Sequence, residues 1–195
     1  MTAANAIYTV GHSNHALDHF LSLLKTHDIT AVADVRSTPY SRRNPQFNRE
    51  PLKDAIQAQG MAYVPLEDQL GGRPRDPALW RFERPDYERI ALTPNFCEGL
   101  SRIEKGSATQ RIAIMCAERD PLDCHRCLLV ARALKERGQP VMNILGDGTL
   151  EPHDATEARL MQWAKLGSAD MFDAPETRLA DAYRKRSSWN WGERT

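Results

Sequence analysis

Short apolar runs alternate along the chain with longer segments whose apolar residues recur at intervals of three and four. The first kind reads as buried strand, the second as amphipathic helix. The predicted strands are "AIYTV" running into a turn at Gly11, "ITAVADV" stopped by Pro39, "MAYVPL", "RIAIMC" and "PVMNIL". Pro65 interrupts "MAYVPL" and places it near an edge, because proline cannot donate to a central ladder. "RIAIMC" has the clearest central-strand character. The spacing of Leu17, Phe20, Leu21 and Leu24 predicts a helix with Asn14 as its N-cap. "PLKDAIQAQG" is a second helix, with Pro51 near its start and Gly60 at its end. A third is predicted from Tyr87 to Lys105 with a kink at Pro94. "CHRCLLVARALKERG" is the clearest helix, capped by Asp123, with Leu128, Val130, Ala131 and Leu134 inward and Gly138 as its stop. "HDATEARLMQWAKLG" is the last. Residues 70–86 hold two glycines and three prolines and are expected to be irregular.

Strands alternating with helices predict an α/β fold, with a mainly parallel sheet of about five strands flanked by helices in three layers. The 195 residues suffice for one domain. Residues 1–167 are expected to form it. Residues 168–195 are expected to be a polar extension, either a short helix or a loose tail.

Composition narrows the function classes. Lys plus Arg and Asp plus Glu balance at 26 each, so no global charge draws the chain to nucleic acid or an anionic membrane. Twenty of the basic residues are Arg and six are Lys. Arginine forks onto carboxylates and phosphates. No apolar run approaches the roughly 18 residues of a membrane span. The opening residues lack the pattern of a signal peptide. A cytoplasmic protein whose four cysteines are thiols is therefore expected.

In an open parallel sheet, ligands bind outside the carboxyl ends of the strands. Those ends are polar here. Gly11, His12 and Ser13 follow the first strand, and Asp34, Arg36, Ser37 and Thr38 the second. Cys116, Glu118 and Arg119 follow "RIAIMC", and Gly146, Asp147 and Gly148 follow the last strand, with His153 nearby. The densest stretch is "IMCAERDPLDCHRC". With Asp123 as cap, Cys124, His125 and Arg126 fall in the first helical turn, where free amides and the helix dipole favour negative charge. A thiolate at Cys124 would be stabilised there, or an anionic ligand would sit on the same amides, clamped by Arg126.

Metal and redox chemistry are weighed against this. Cys124 and Cys127 form a CxxC pair, to which Cys116, His125 and His12 would add ligands. Structural zinc sites usually bring two such pairs. Only one exists, and on a helix residue 125 points away from the face shared by 124 and 127. No metal and no cofactor is therefore expected, although a thiol redox or metal-binding protein remains a third reading. The stretch from Arg36 to Arg84 interleaves Arg42, Arg43, Arg49, Arg73, Arg75 and Arg81 with Tyr40, Phe47, Trp80 and Phe82, a pattern suited to single-stranded nucleic acid.

The segments "TVGHSN", "ADVRSTPYSRRNPQFN", "GMAYVPLEDQLGG", "CAERDPLDCHR" and "NILGDGTLEPH" occur in this order over residues 7–153. Together they resemble the domain of unknown function 488 family. The resemblance implies a compact α/β domain and implies that His12, Ser13, Asp34, Arg36, Pro39, Ser41, Cys116, Glu118, Cys124, His125, Arg126 and His153 belong to family motifs. It implies no activity, though some relatives carry labels from DNA repair or iron–sulfur assembly.

The leading expectation is an enzyme or ligand-binding domain for a phosphate-bearing substrate, plausibly a nucleotide or nucleic-acid end; the residues leave open whether it is catalytic. Cys124 or Cys116 would be the nucleophile, His125 or His12 the proton carrier, and Glu118 would orient an arginine. Ser13, Asp34, Arg36, Ser41, Arg126 and His153 would hold the anion. The alternative is a non-catalytic nucleic-acid-binding module, with a DNA-repair association, using residues 36–84.

Overall fold

The computed structural model describes residues 6–166 and 174–192. The boundary expected at residue 167 lies outside the described residues. A six-stranded sheet forms the middle layer, in the order β3(Ala62–Pro65), β2(Ala31–Asp34), β6(Ile112–Cys116), β1(Ile7–Gly11), β7(Val141–Ile144), β8(Leu150–Pro152). All neighbours pair parallel except β8, which returns antiparallel along β7. The three-layer α/β expectation is met, with one strand added. β8 arises where the sequence reads only as a turn, because the tight turn through Gly148, at φ 87°, folds Leu150–Pro152 back onto β7. A separate two-stranded hairpin, β4(Trp80–Arg81) and β5(Arg84–Pro85), lies within the irregular segment.

Strand side chains alternate between two cores, as the pleat requires. Ile112, Ile114 and Cys116 face one apolar cluster and Ala113 and Met115 the other. Helices α1(Leu17–Thr26) and α2(Arg49–Ala58) cover the second cluster through Phe20, Leu24, Leu52 and Ile56. Helix α5(Pro94–Ser107) and the helix that follows β6 cover the first, through Phe96, Leu100, Ile103, Val130 and Leu134. Short helices α3(Glu67–Leu70) and α4(Tyr87–Ala91) line its rim. The chain winds outward from β1 to β2 and β3 on one face and from β6 to β7 on the other. The winding direction reverses around β2, β6 and β1, and such a reversal opens a crevice at the strands' carboxyl ends.

Three helix boundaries differ from those predicted. The helix expected over 87–105 is two, because the Thr93 hydroxyl caps Phe96 N–H and Pro94 opens a new helix. Asn14 does not cap α1, which starts after Ala16 without a side-chain cap. The helix after β6 begins later than Asp123. Asp120 caps a 3₁₀ turn, Pro121–Asp123, and Cys124 is extended at φ −135° and ψ 140°. Helix then runs from His125, as a π segment over Arg126–Ala131 and as α6 over Arg132–Glu136. Helices α7(His153–Ala164) and α8(Pro175–Gly192) pack on that segment around Leu122, Cys127, Leu128, Leu160 and Tyr183.

Candidate functional site

At the carboxyl ends of β2 and β6, a recess of about 420 Å³ is lined by Arg36, Ser37, Cys116, Glu118, Cys124 and His125, among others. Chemistry concentrates at its floor. Cys116 is the last residue of β6. Cys124 is the extended residue before the helix; its carbonyl receives the N–H groups of Cys127 and Leu128, and its sulfur receives the Arg126 N–H at 3.4 Å. In effect a thiol fills the capping position that the sequence assigns to Asp123. Because Cys124 is extended rather than helical, its side chain and that of His125 turn to the same side.

His125 Nδ1 lies 3.7 Å from Cys116 Sγ and 3.9 Å from Cys124 Sγ. Its other nitrogen, Nε2, donates to the Val35 carbonyl at 2.9 Å. A carbonyl only accepts, so Nε2 carries a proton, and Nδ1 faces the two sulfurs, donating when the ring is charged and accepting when it is neutral. Gly72 makes room for the ring: a Cβ there would stand 2.4 Å from His125 Cγ. The signal for this contact is the "LGG" segment, which reads in the sequence only as loop punctuation.

The thiols are unequal. Burial alone would raise Cys124, but the Cys116 thiol hydrogen bond, the Arg126 guanidinium and His125 outweigh it and bring Cys124 well below the usual range. Cys116 moves up, through its hydrogen bond to Cys124 and burial. Cys124 is thus the more acidic thiol of the pair. Cys127 belongs elsewhere. It lies fully buried among Leu122, Leu160 and Tyr183, and burial pushes its thiol up. The CxxC pair therefore does not converge; Cys116 takes the place of Cys127 beside Cys124.

Several anticipated residues have structural duties. Arg126 is fully buried, donating to the carbonyls of Glu118 at 2.6 Å and Arg119 at 3.1 Å. Expected as an anion clamp, it is not among the residues that line the recess and acts on Cys124 through its charge. Gly11 admits this packing, since a Cβ there would meet the Glu118 carbonyl oxygen at 1.8 Å. Glu118 serves Arg126 through its backbone and lines the recess. Arg36 also lines the recess, but its guanidinium forks onto Asp34 at 2.9 and 2.6 Å and donates to the Phe47 carbonyl at 2.6 Å. Tyr63 O–H completes Asp34 at 2.6 Å.

His12 has both ring nitrogens engaged, with Nδ1 donating to the Ser13 carbonyl at 2.8 Å and Nε2 receiving Arg36 Nη1 at 3.3 Å. Of the two expected proton carriers, His125 lines the first recess and His12 a second. Ser13 and Ser41 also line this second recess of about 400 Å³, whose wall of Arg36, Thr38, Ala117, Glu118 and Asp123 is shared with the first. His153 is not brought to the site. It opens α7 after the antiparallel β8, level with the amino end of β7, and bonds to Tyr183 Oη at 3.0 Å. Expected to hold the substrate, it is not among the residues that line either recess. Ser187, from α8, reaches the first recess and was not anticipated.

Of the interleaved aromatics, Phe47 is fully buried and Trp80 donates to the Pro74 carbonyl, whereas Tyr40 and Phe82 are exposed. Among the described residues, no helix is long and apolar enough to cross a membrane.

Fold and site together define a doubly wound α/β protein with a thiol–imidazole cluster at the carboxyl edge of its sheet. The chain belongs to the family described as Domain of unknown function DUF488, which matches residues 16–133. The matched span holds Arg36, Gly72, Cys116, Cys124 and His125 and excludes His12, Ser13 and His153. No curated protein and no solved structure matches the chain.

Proposed function

We propose that the protein is an enzyme that binds a small anionic molecule, bearing phosphate or carboxylate, in the recess between β2 and β6. The observation that carries this reading is the convergence of Cys124, Cys116 and His125 with Arg36 on one cavity. Cys124 supplies the nucleophile, and His125 Nδ1, fixed by the Val35 carbonyl, takes up or returns a proton. Preference for an anion is supported by the amino end of the helix from His125, by the sealed charge of Arg126, and by Arg73, Ser37 and Thr38 on the wall.

A thermal-unfolding panel of inorganic phosphate, nucleoside mono- and triphosphates, di- and tricarboxylates and a single-stranded oligonucleotide tests the reading. A small anion is expected to raise Tm with the logarithm of its concentration, by an amount equivalent to about 2.7 kcal/mol at a hundredfold excess over Kd. Arg73→Ala, an exposed change at the wall, is expected to weaken that shift. If no small anion stabilises the protein, the proposal is wrong.

Exposed Tyr40, on the second recess beside Arg42 and Arg43, favours a second reading as a nucleic-acid surface. A shift produced by the oligonucleotide alone, and lost in Tyr40→Ala, would select it.

A further inference from the structure

We infer that Cys116 Sγ, Cys124 Sγ and His125 Nδ1 are the three protein ligands of a divalent, zinc-like cation whose fourth position opens into the recess. The role of that fourth position rests on the recess being the functional site, as proposed above. With an ion bound, Cys124 and His125 would be ligands, and the nucleophile and proton-carrier roles proposed for them would pass to a water at that position. The three donor atoms lie within 4.8 Å of one another. A tetrahedral ion with bonds of about 2.3 Å to sulfur and about 2.0 Å to nitrogen separates its sulfur and nitrogen ligands by roughly 3.5 Å. The observed separations are 3.7 and 3.9 Å, so small side-chain adjustments bring all three onto one ion.

The surroundings agree with the geometry. A metal-binding imidazole almost always donates its second nitrogen to a carbonyl or carboxylate, which fixes the tautomer and aims the lone pair. Val35 does this for His125. The donors also stand on rigid elements: Cys116 ends the central strand β6, and Cys124 and His125 open a buried helix. Two sulfurs and an imidazole select zinc and similar ions over magnesium or calcium, which take oxygen ligands. Three protein ligands rather than four is the pattern of a catalytic centre that keeps one position for water or substrate.

Charge extends the argument to that position. Two thiolates neutralise a divalent ion, and a neutral imidazole adds nothing. The buried guanidinium of Arg126 adds positive charge beside the centre, which favours hydroxide or an anionic substrate group as fourth ligand. Loading is a ligand exchange without redox change: two metal–sulfur bonds and one metal–nitrogen bond form, and each cysteine still protonated releases its proton to solvent.

Cobalt(II) titration of the full chain, purified without chelator and then stripped, tests the assignment. One equivalent should produce a thiolate-to-cobalt charge-transfer band and the intense visible bands of a tetrahedral ion, and zinc should abolish both. Cys116→Ala, Cys124→Ala and His125→Ala should each weaken cobalt binding by more than about 100-fold, beyond what losing an outer partner costs. Cys127→Ala should leave it unchanged. His125 is only half-buried, so His125→Ala decides the matter if the cysteine variants do not fold, with circular dichroism confirming the helix content.

The inference is overturned if the wild-type chain gives no charge-transfer band, or if His125→Ala binds cobalt as tightly as wild type. If metal-free protein is stabilised by small anions while cobalt does not bind, the recess reading stands and the metal assignment falls. If cobalt binds through the three residues and no panel anion alters its spectrum or the stability, the ligand set stands and the recess reading falls.

Discussion

His12 shows how the site is held electrostatically. Burial, and then the Arg36 guanidinium, lower its pKa from 6.5 to about 4. The folded state therefore binds this proton more weakly than the unfolded chain does. The stability contribution is fully present above pH 6.5 and is lost as pH falls toward 4. A shift of this size corresponds to about 3 kcal/mol at most. Unfolding free energies from urea titrations near pH 4 and near neutrality should differ by about that much less in His12→Gln than in wild type; an unchanged difference would show that the acid sensitivity lies elsewhere. At this scale the sequence is a good guide to residue type and a poor guide to direction. Arg36 and Cys116 were legible as groups at strand ends and Cys124 and His125 as the first turn of a helix, and all four line one cavity. Arg126 looks equivalent in the sequence. Its side chain points inward because the carbonyls of Glu118 and Arg119 compete for it, a contact that no local pattern announces.

Among the elements, the β4–β5 hairpin carries the clearest local conflict. Its two turn residues, Phe82 and Glu83, adopt φ of 50° and 62°. Such a turn favours Asn-Gly, and a bulky side chain in the left-handed region is strained. Replacing Phe82-Glu83 by Asn-Gly should stabilise the protein by about 1 kcal/mol, read as a higher urea midpoint with an unchanged slope. Phe82 is 84 % exposed, so little packing is lost in the exchange. Strands and helices were legible from periodicity because core burial enforces it on both faces of the sheet. Their ends were less so. At Asp120 to Cys124 three residues compete to cap, and a 3₁₀ turn takes the aspartate predicted to start the helix. That shift turns Cys124 and His125 to one side, which is why the cluster is invisible to helical spacing.

On the scale of the whole molecule, α7 and α8 lie beyond the family-matched span yet close over the helix that carries the site. Arg186 of α8 donates to Asp123 at 2.5 Å and to the Leu122 carbonyl at 3.1 Å, tying the last helix to the segment just before Cys124. Tyr183 fills the apolar interface and bonds to Glu157 at 2.9 Å. Tyr183→Ala should cost about 3–5 kcal/mol in chemical denaturation, the range for deleting a buried ring. A loss below 1 kcal/mol, roughly a surface effect, would mean that α8 is not part of the cooperative unit. The centre itself draws on places that mutation reaches unevenly. A peptide oxygen at Val35 orients the imidazole, and every amino acid but none in particular supplies one, so that hold survives any exchange of side chain that keeps the strand in place. Position 72 is the reverse: a single added methyl would evict the ring while every donor atom stayed encoded. Sequence drift can thus undo the proposed centre through a residue that does no chemistry, and an inventory of reactive groups would not record the loss.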